Sequence, residues 1–142
     1  MSVATYCTRS VFRVEADASA RAVAERMTQQ GMGCAIVVEN QRPVGIVTDR
    51  DLVLEVLCRR LDAGSVPVGE LATRPAITIR EDAALGEALR TLGRRGIRRL
   101  PVVDDGGKLV GILTADDLMQ VVAGELAGLG AAVHAQARQG GM

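Results

Sequence analysis

The sequence predicts an α+β fold built from two tandem β-α-β-β-α units, and three observations lead there. Its 142 residues suffice for one compact domain divided into two similar halves. The chain also repeats itself. Thr8-Arg9 matches Thr73-Arg74, Asp17-Ala18 matches Asp82-Ala83, Gly31 matches Gly96 and Val37-Val38 matches Val102-Val103, all at an offset of 65. One extra residue in the turn Asp104-Asp105-Gly106-Gly107 moves the offset to 66, at which Val44-Gly45-Ile46, Thr48 and Asp51-Leu52 match Val110-Gly111-Ile112, Thr114 and Asp117-Leu118. Within each copy, finally, the apolar spacing alternates between extended and helical character.

The elements follow in order. Val11 to Val14 and Ala76 to Ile79 read as short strands. Asp17 or Ser19, and Asp82, stand where N-caps are wanted, ahead of Ala20, Val23, Ala24 and Met27 in one copy and Leu85, Ala88, Leu89 and Leu92 in the other. Both sets fall at i, i+3, i+4 and i+7, one face of a helix. Gly31 and Gly96 stop these helices, and the unbroken apolar runs 35–38 and 100–103 read as buried strands. After turns at 39–43 and 104–107, a third strand (44–47 and 109–113) enters a second helix, which carries Leu52, Val53, Val56 and Leu57, or Leu118, Met119 and Val122. Segment 62–69, with Gly, Ser and Pro, reads as a linker, and 68–72 as a short helical turn. Leu126, Leu129 and Val133 prolong the last helix, and 136–142 reads as frayed. The expected organisation is a first motif over 1–61, a linker over 62–72, a second motif over 73–123 and a helical extension and tail over 124–142, both motifs forming one module.

Composition bounds the function. With 48% apolar residues but one Tyr, one Phe and no Trp, the core and any grip on a ligand base must be aliphatic. Seventeen Lys and Arg balance 17 Asp and Glu, which removes the charge excess behind non-specific binding to nucleic acid or anionic membranes. Cys7, Cys34 and Cys58 are odd in number, far apart and without a C-x-x-C pair, while His134 is the only histidine and sits in the tail. That pattern predicts reduced structural thiols, no disulfide framework and no metal site. The opening Met1 to Tyr6 carries no signal-like pattern, and no uninterrupted apolar run approaches about 18 residues, so a soluble cytoplasmic protein with no membrane partner is expected. No Ser-His-Asp or Cys-His set and no phosphate-binding glycine loop occurs, so no catalytic residue is assigned and no enzyme is expected.

The best chemical candidate is Gly45-Ile46-Val47-Thr48-Asp49-Arg50-Asp51, repeated as Gly111-Ile112-Leu113-Thr114-Ala115-Asp116-Asp117, each copy at a strand-to-helix junction. T-x-x-D at a helix start is a capping box. The same geometry also suits a nucleotide: free N–H groups and a partial positive charge for phosphate, a Thr hydroxyl for ribose or phosphate, and a carboxylate for paired ribose hydroxyls. Glycine at 45 and 111 lets backbone approach a neighbour or a ligand.

The duplication, the repeated G-h-h-T-x-x-D signature and the stretch Gly96-Ile97-Arg98-Arg99-Leu100-Pro101-Val102-Val103-Asp104 resemble the CBS motif pair, or Bateman module, over roughly residues 3–123. The spelling Val44 to Leu52 is similar to small stand-alone bacterial members. The resemblance implies two motifs related by a pseudo-twofold axis, with two clefts between them that take AMP, ADP, ATP, S-adenosylmethionine or a related ligand without catalysis. By position, Asp51 and Asp117 would hold ribose hydroxyls and Thr48 and Thr114 would contact ribose or phosphate. Backbone near Val11 and Phe12, and near Ala76 and Ile77, would border the adenine. No cofactor is implied beyond a regulatory adenine nucleotide. The implied partners are a second copy in a helix-paired homodimer and a separate regulated protein.

The copies differ in charge. Arg94, Arg95, Arg98 and Arg99 stand where the first copy has Gln29, Gln30, Gly33 and Cys34. A charge run of this kind is either a solvated face or, through Arg98 or Arg99, a clamp on nucleotide phosphates, and unequal clefts are predicted. Two other functions remain open: nucleic-acid binding through the Arg94–Arg99 cluster, and a purely structural dimerisation module.

Overall fold

The computed structural model describes residues 1–140, and its two three-stranded sheets have the tandem architecture the repeat predicts. The elements are α1 (Val3–Tyr6), β1 (Arg13–Glu15), α2 (Ala20–Gln30), β2 (Cys34–Glu39), β3 (Arg42–Thr48), α3 (Asp49–Leu52), β4 (Ile79–Arg80), α4 (Leu85–Arg95), β5 (Arg99–Val103), β6 (Leu109–Thr114) and α5 (Ala115–Gln139). A π-helical turn, Val53–Leu57, continues α3, and a 3-10 turn spans Val68–Glu70. In each sheet the middle strand runs parallel to the first and antiparallel to the third, with a bulge at Val37/Val38 and its counterpart Val102/Val103. The first strands start later than their apolar runs. Val11 packs instead against Ile36, Val38 and Leu109, in a small cluster between the two sheets.

Helix ends follow local chemistry. Ser19 caps α2, its hydroxyl accepting from the Ala22 N–H at 3.1 Å, and Gly31 and Gly96 end α2 and α4 at φ 63°, where a Cβ would be strained. Asp82 is not the cap of α4. Ala84, the counterpart of Ser19, holds that position and has no side chain to accept a bond. Asp82 takes the Arg80 Nε and Nη2 at 2.9 and 2.7 Å, and this two-pronged bond holds its carboxyl below the usual range.

The cores show that the lead-in of each unit is exchanged. Val3, wholly buried, packs with Ile79, Leu85, Leu92 and Leu100 of the second unit, whereas Val68, equally buried, packs with Val14, Val23 and Val37 of the first. The backbone repeats the exchange: Val3 N–H donates to Ala83 O at 2.9 Å, and Val68 N–H donates to Ala18 O at 2.7 Å. Thr8 and Ile112 trade both backbone bonds, and so do Thr73 and Ile46. Each pair maps on the other at the 65- and 66-residue offsets, which is the pseudo-twofold relation. The stretch 62–72, read as a linker, therefore carries part of the first unit's core.

α5 leaves the body after its first turns. Of its residues only Leu118 is buried, while Met119, Val122, Leu126, Leu129 and Val133 are exposed. The helix continues to Gln139 rather than fraying from 136; Gly141 and Met142, at the end of that expected tail, lie outside the described residues. By length and composition α5 could cross a membrane, with mean hydropathy 1.3 over its most apolar window, 6% of which is buried.

Candidate functional site

Thr48 ends β3 and caps α3. Its Oγ1 accepts from the Asp51 N–H at 3.0 Å, and Asp51 Oδ2 accepts in return from the Thr48 N–H at 2.8 Å, a complete capping box. The structural role of these residues is thus real. It leaves Asp51 Oδ1 and the remaining lone pairs free to accept from a ligand. At α5 only half of the box is formed: Thr114 Oγ1 accepts from the Asp117 N–H at 3.1 Å.

Thr48 and Asp51 open on a cavity of about 320 Å³, within the size range of small-molecule sites (roughly 300–1,000 Å³). Ile46, from β3, lines one side. Thr73, Pro75, Ala76 and Ile77 supply a second wall from the lead-in of β4, and Ile97 and Arg98, just before β5, join Arg99, its first residue. Half of the lining residues are aliphatic, and the polar groups are the Thr-Asp pair, Thr73 and the two arginines. Arg98 Nη2 lies 2.7 Å from Asp116 Oδ1, both side chains being mostly exposed. A larger cavity of about 560 Å³ elsewhere is lined by Glu15, Asp17, Glu39 and Glu70 against Arg74. That excess of carboxylates repels phosphate, so it is the poorer nucleotide candidate.

Six of the ten sequence-selected residues, Thr48, Asp51, Ala76, Ile77, Arg98 and Arg99, therefore meet around one cavity, and the arginines fall beside the first unit's Thr-Asp pair. Thr114, Asp117, Val11 and Phe12 do not line it. The Phe12 ring is buried in the first unit's core beneath Arg26, whose guanidinium is 5.0 Å from the ring centre, so only Phe12 backbone remains for a ligand. Where Arg98 and Arg99 stand, that side of the pseudo-twofold has Gly33 and Cys34, and a Cβ built on Gly33 would lie 3.4 Å from Asp49 Oδ2. Ile46, Thr73 and Ile97 were not selected from sequence. Thr73 had a usable signal, its repeat at Thr8, but its wall of the cavity exists only because the lead-ins are exchanged.

The CBS domain family model matches residues 3–57 and 68–124, so each match begins at the exchanged lead-in. An uncharacterized protein of Methanopyrus kandleri is 38% identical over 122 residues, covering 85% of this chain and 62% of that protein, so the chain spans about three fifths of that relative. Similar uncharacterized proteins come from Methanocaldococcus jannaschii and Acidianus ambivalens; these relatives are archaeal and give no support to a bacterial type. Among solved structures, a CBS domain protein from Pyrobaculum aerophilum complexed with AMP has a TM-score of 0.74 at 28% identity, covering 90% of this chain and 99% of that one. Hypoxic Response Protein I, crystallised with two coordinated zinc ions, has a TM-score of 0.76 at 27% identity, over 84% and 98%. In this chain no group of three or more His, Cys, Asp or Glu able to hold a metal occurs among the described residues.

Proposed function

The chain belongs to the CBS domain family, and on that premise we propose that it is a regulatory module that senses an adenine nucleotide in the cleft beside Thr48 and Asp51. One observation carries the reading. A carboxylate with free lone pairs, an aliphatic wall and two arginines converge on one cavity, supplying partners for ribose, base and phosphate in turn. The AMP held by the similar Pyrobaculum protein supports the ligand class. In this proposal Asp51 accepts from the ribose hydroxyls, Thr48 contacts ribose or phosphate, backbone at Ala76 and Ile77 borders the adenine, and Arg98 and Arg99 face the phosphates. Thr114, Asp117, Val11 and Phe12 would form the second cleft, which has Gly33 and Cys34 in place of Arg98 and Arg99 and would be weaker for phosphorylated ligands. AMP, ADP, ATP and adenosyl ligands such as S-adenosylmethionine all remain candidates.

We assign the chain no catalysis and no cofactor, and a cytoplasmic place from which its ligand state passes to a separate protein. A homodimer is part of the reading. Met119, Val122, Leu126, Leu129 and Val133 alternate at spacings of three and four along exposed α5, the pattern of a helix seam that pairs with its like. The complete capping box at Thr48 favours one second reading, a structural dimerisation module whose Thr-Asp pairs only start helices.

Calorimetry with AMP, ADP, ATP, S-adenosylmethionine and NAD on the wild type, Asp51→Ala and Asp117→Ala separates the two. A ligand at 100 times its dissociation constant adds about 2.7 kcal/mol to stability, and Asp51→Ala should abolish most of that gain. Binding by none of these ligands, or binding unchanged in both variants, would sink the nucleotide reading.

A further inference from the structure

We infer that Asp116 sets the selectivity of the Thr48–Asp51 cleft for phosphorylated over unphosphorylated nucleosides, by competing with the ligand's phosphate for Arg98. The inference rests on the nucleotide reading of that cleft and adds a residue to it that neither the repeat nor the capping motif marks.

Arg98 is bound to the first turn of α5 twice. Its carbonyl oxygen accepts from the Ala115 N–H at 2.8 Å, and its guanidinium meets Asp116 Oδ1 at 2.7 Å. The first unit keeps the backbone half of this arrangement, the Asp49 N–H donating to Gly33 O at 2.9 Å, but lacks the other half altogether. Gly33 replaces Arg98 and Arg50 replaces Asp116, so both partners of the ion pair are peculiar to the second unit. The cation at the cleft and the anion that engages it occur together.

Two consequences follow from the geometry. Asp116 orients Arg98 when the cleft is empty, since the pair occupies one guanidinium prong and leaves the others for a second anion. It also makes a phosphate compete for Arg98, because an anion that draws the guanidinium into the cleft must replace the Asp116 contact, a cost that a neutral nucleoside escapes. Because both side chains are largely exposed, the effect is that of a surface pair, worth a few-fold in affinity and weakened by salt.

The test is titration of the intact protein with adenosine and with AMP, using the wild type, Asp116→Asn, Arg98→Gln and the double variant at low and at physiological salt. Asp116→Asn should tighten AMP about two- to fivefold and leave adenosine unchanged, the gain shrinking with salt. In the Arg98→Gln background the Asn substitution should have no effect. Equal changes for adenosine and AMP, no change for either, a weaker instead of a tighter AMP in Asp116→Asn, or a gain that persists without Arg98 would overturn the role of Asp116 while leaving the nucleotide reading intact. Failure of the wild type to bind either ligand would overturn both, and is recognisable before any variant is made.

Discussion

A Cβ placed on Gly111 would stand 2.9 Å from the carbonyl oxygen of Thr8, a residue from the far end of the chain. Gly45 repeats the relation with Thr73, at 2.8 Å. The glycine of the G-h-h-T-x-x-D signature is thus explained by the exchanged lead-in, whose backbone bonds to Ile112 and Ile46 require that approach. Gly111→Ala and Gly45→Ala should each destabilise the protein by about 1–3 kcal/mol, because backbone rather than a movable side-chain tip must give way. Urea unfolding checks this; midpoints within error of the wild type would refute it.

The glycines of α5 predict the opposite sign. A Cβ on Gly124 or Gly128 meets nothing within 4 Å, and both lie inside a helix. Alanine at each should favour the helix by about 1 kcal/mol. Increased ellipticity and a higher melting temperature would be observed, whereas a loss of helicity would mean that these positions are in close contact with a second chain.

The two Thr-Asp pairs should separate under mutation even without ligand. Asp51 closes its capping box through Oδ2 and Asp117 does not, so Asp51→Ala should cost about 1 kcal/mol in the apo protein and Asp117→Ala within about 0.5 kcal/mol of nothing. Thr48→Ala and Thr114→Ala, which both lose a cap, should each cost about 1 kcal/mol. Chemical denaturation of the four variants reads this directly, and equal costs for the two aspartates would contradict the asymmetry.

The exposed seam of α5 predicts assembly. The wild type should run as a homodimer by light scattering and Leu126→Glu with Leu129→Glu as a monomer, because two charges would enter an apolar helix contact. The same seam borders a groove of about 750 Å³ with Met1, Leu85 and Leu89, which a neighbouring helix could fill. A wild type that is monomeric at high concentration would refute the dimer, and binding to liposomes by the wild type would reassign the seam to a lipid surface.

What the sequence made legible was local. Periods of two and 3.6, the glycine stops and the repeat are carried by near neighbours, and they yielded both sheets and the helix order. The exchange of lead-ins is a pairing between distant segments, and α1, with four residues, offers no periodicity to announce it. Asp82 misled because an acidic residue before a helix looks alike whether it caps or pairs with Arg80. For the site, the Thr-Asp pairs could be read off, but their arginine neighbours could not be assigned to a cleft, since a cleft between units is made by the pseudo-twofold and not by adjacency.

The crossing of Val3 into one core and Val68 into the other also bears on how the molecule comes apart. A fragment ending at residue 61 would lack the Val68 that fills its interior, and one starting at 73 would lack Val3. Neither half is an autonomous folding unit, so the protein should melt in a single cooperative step, and a cleft at the seam of such a molecule feels any loosening of either half.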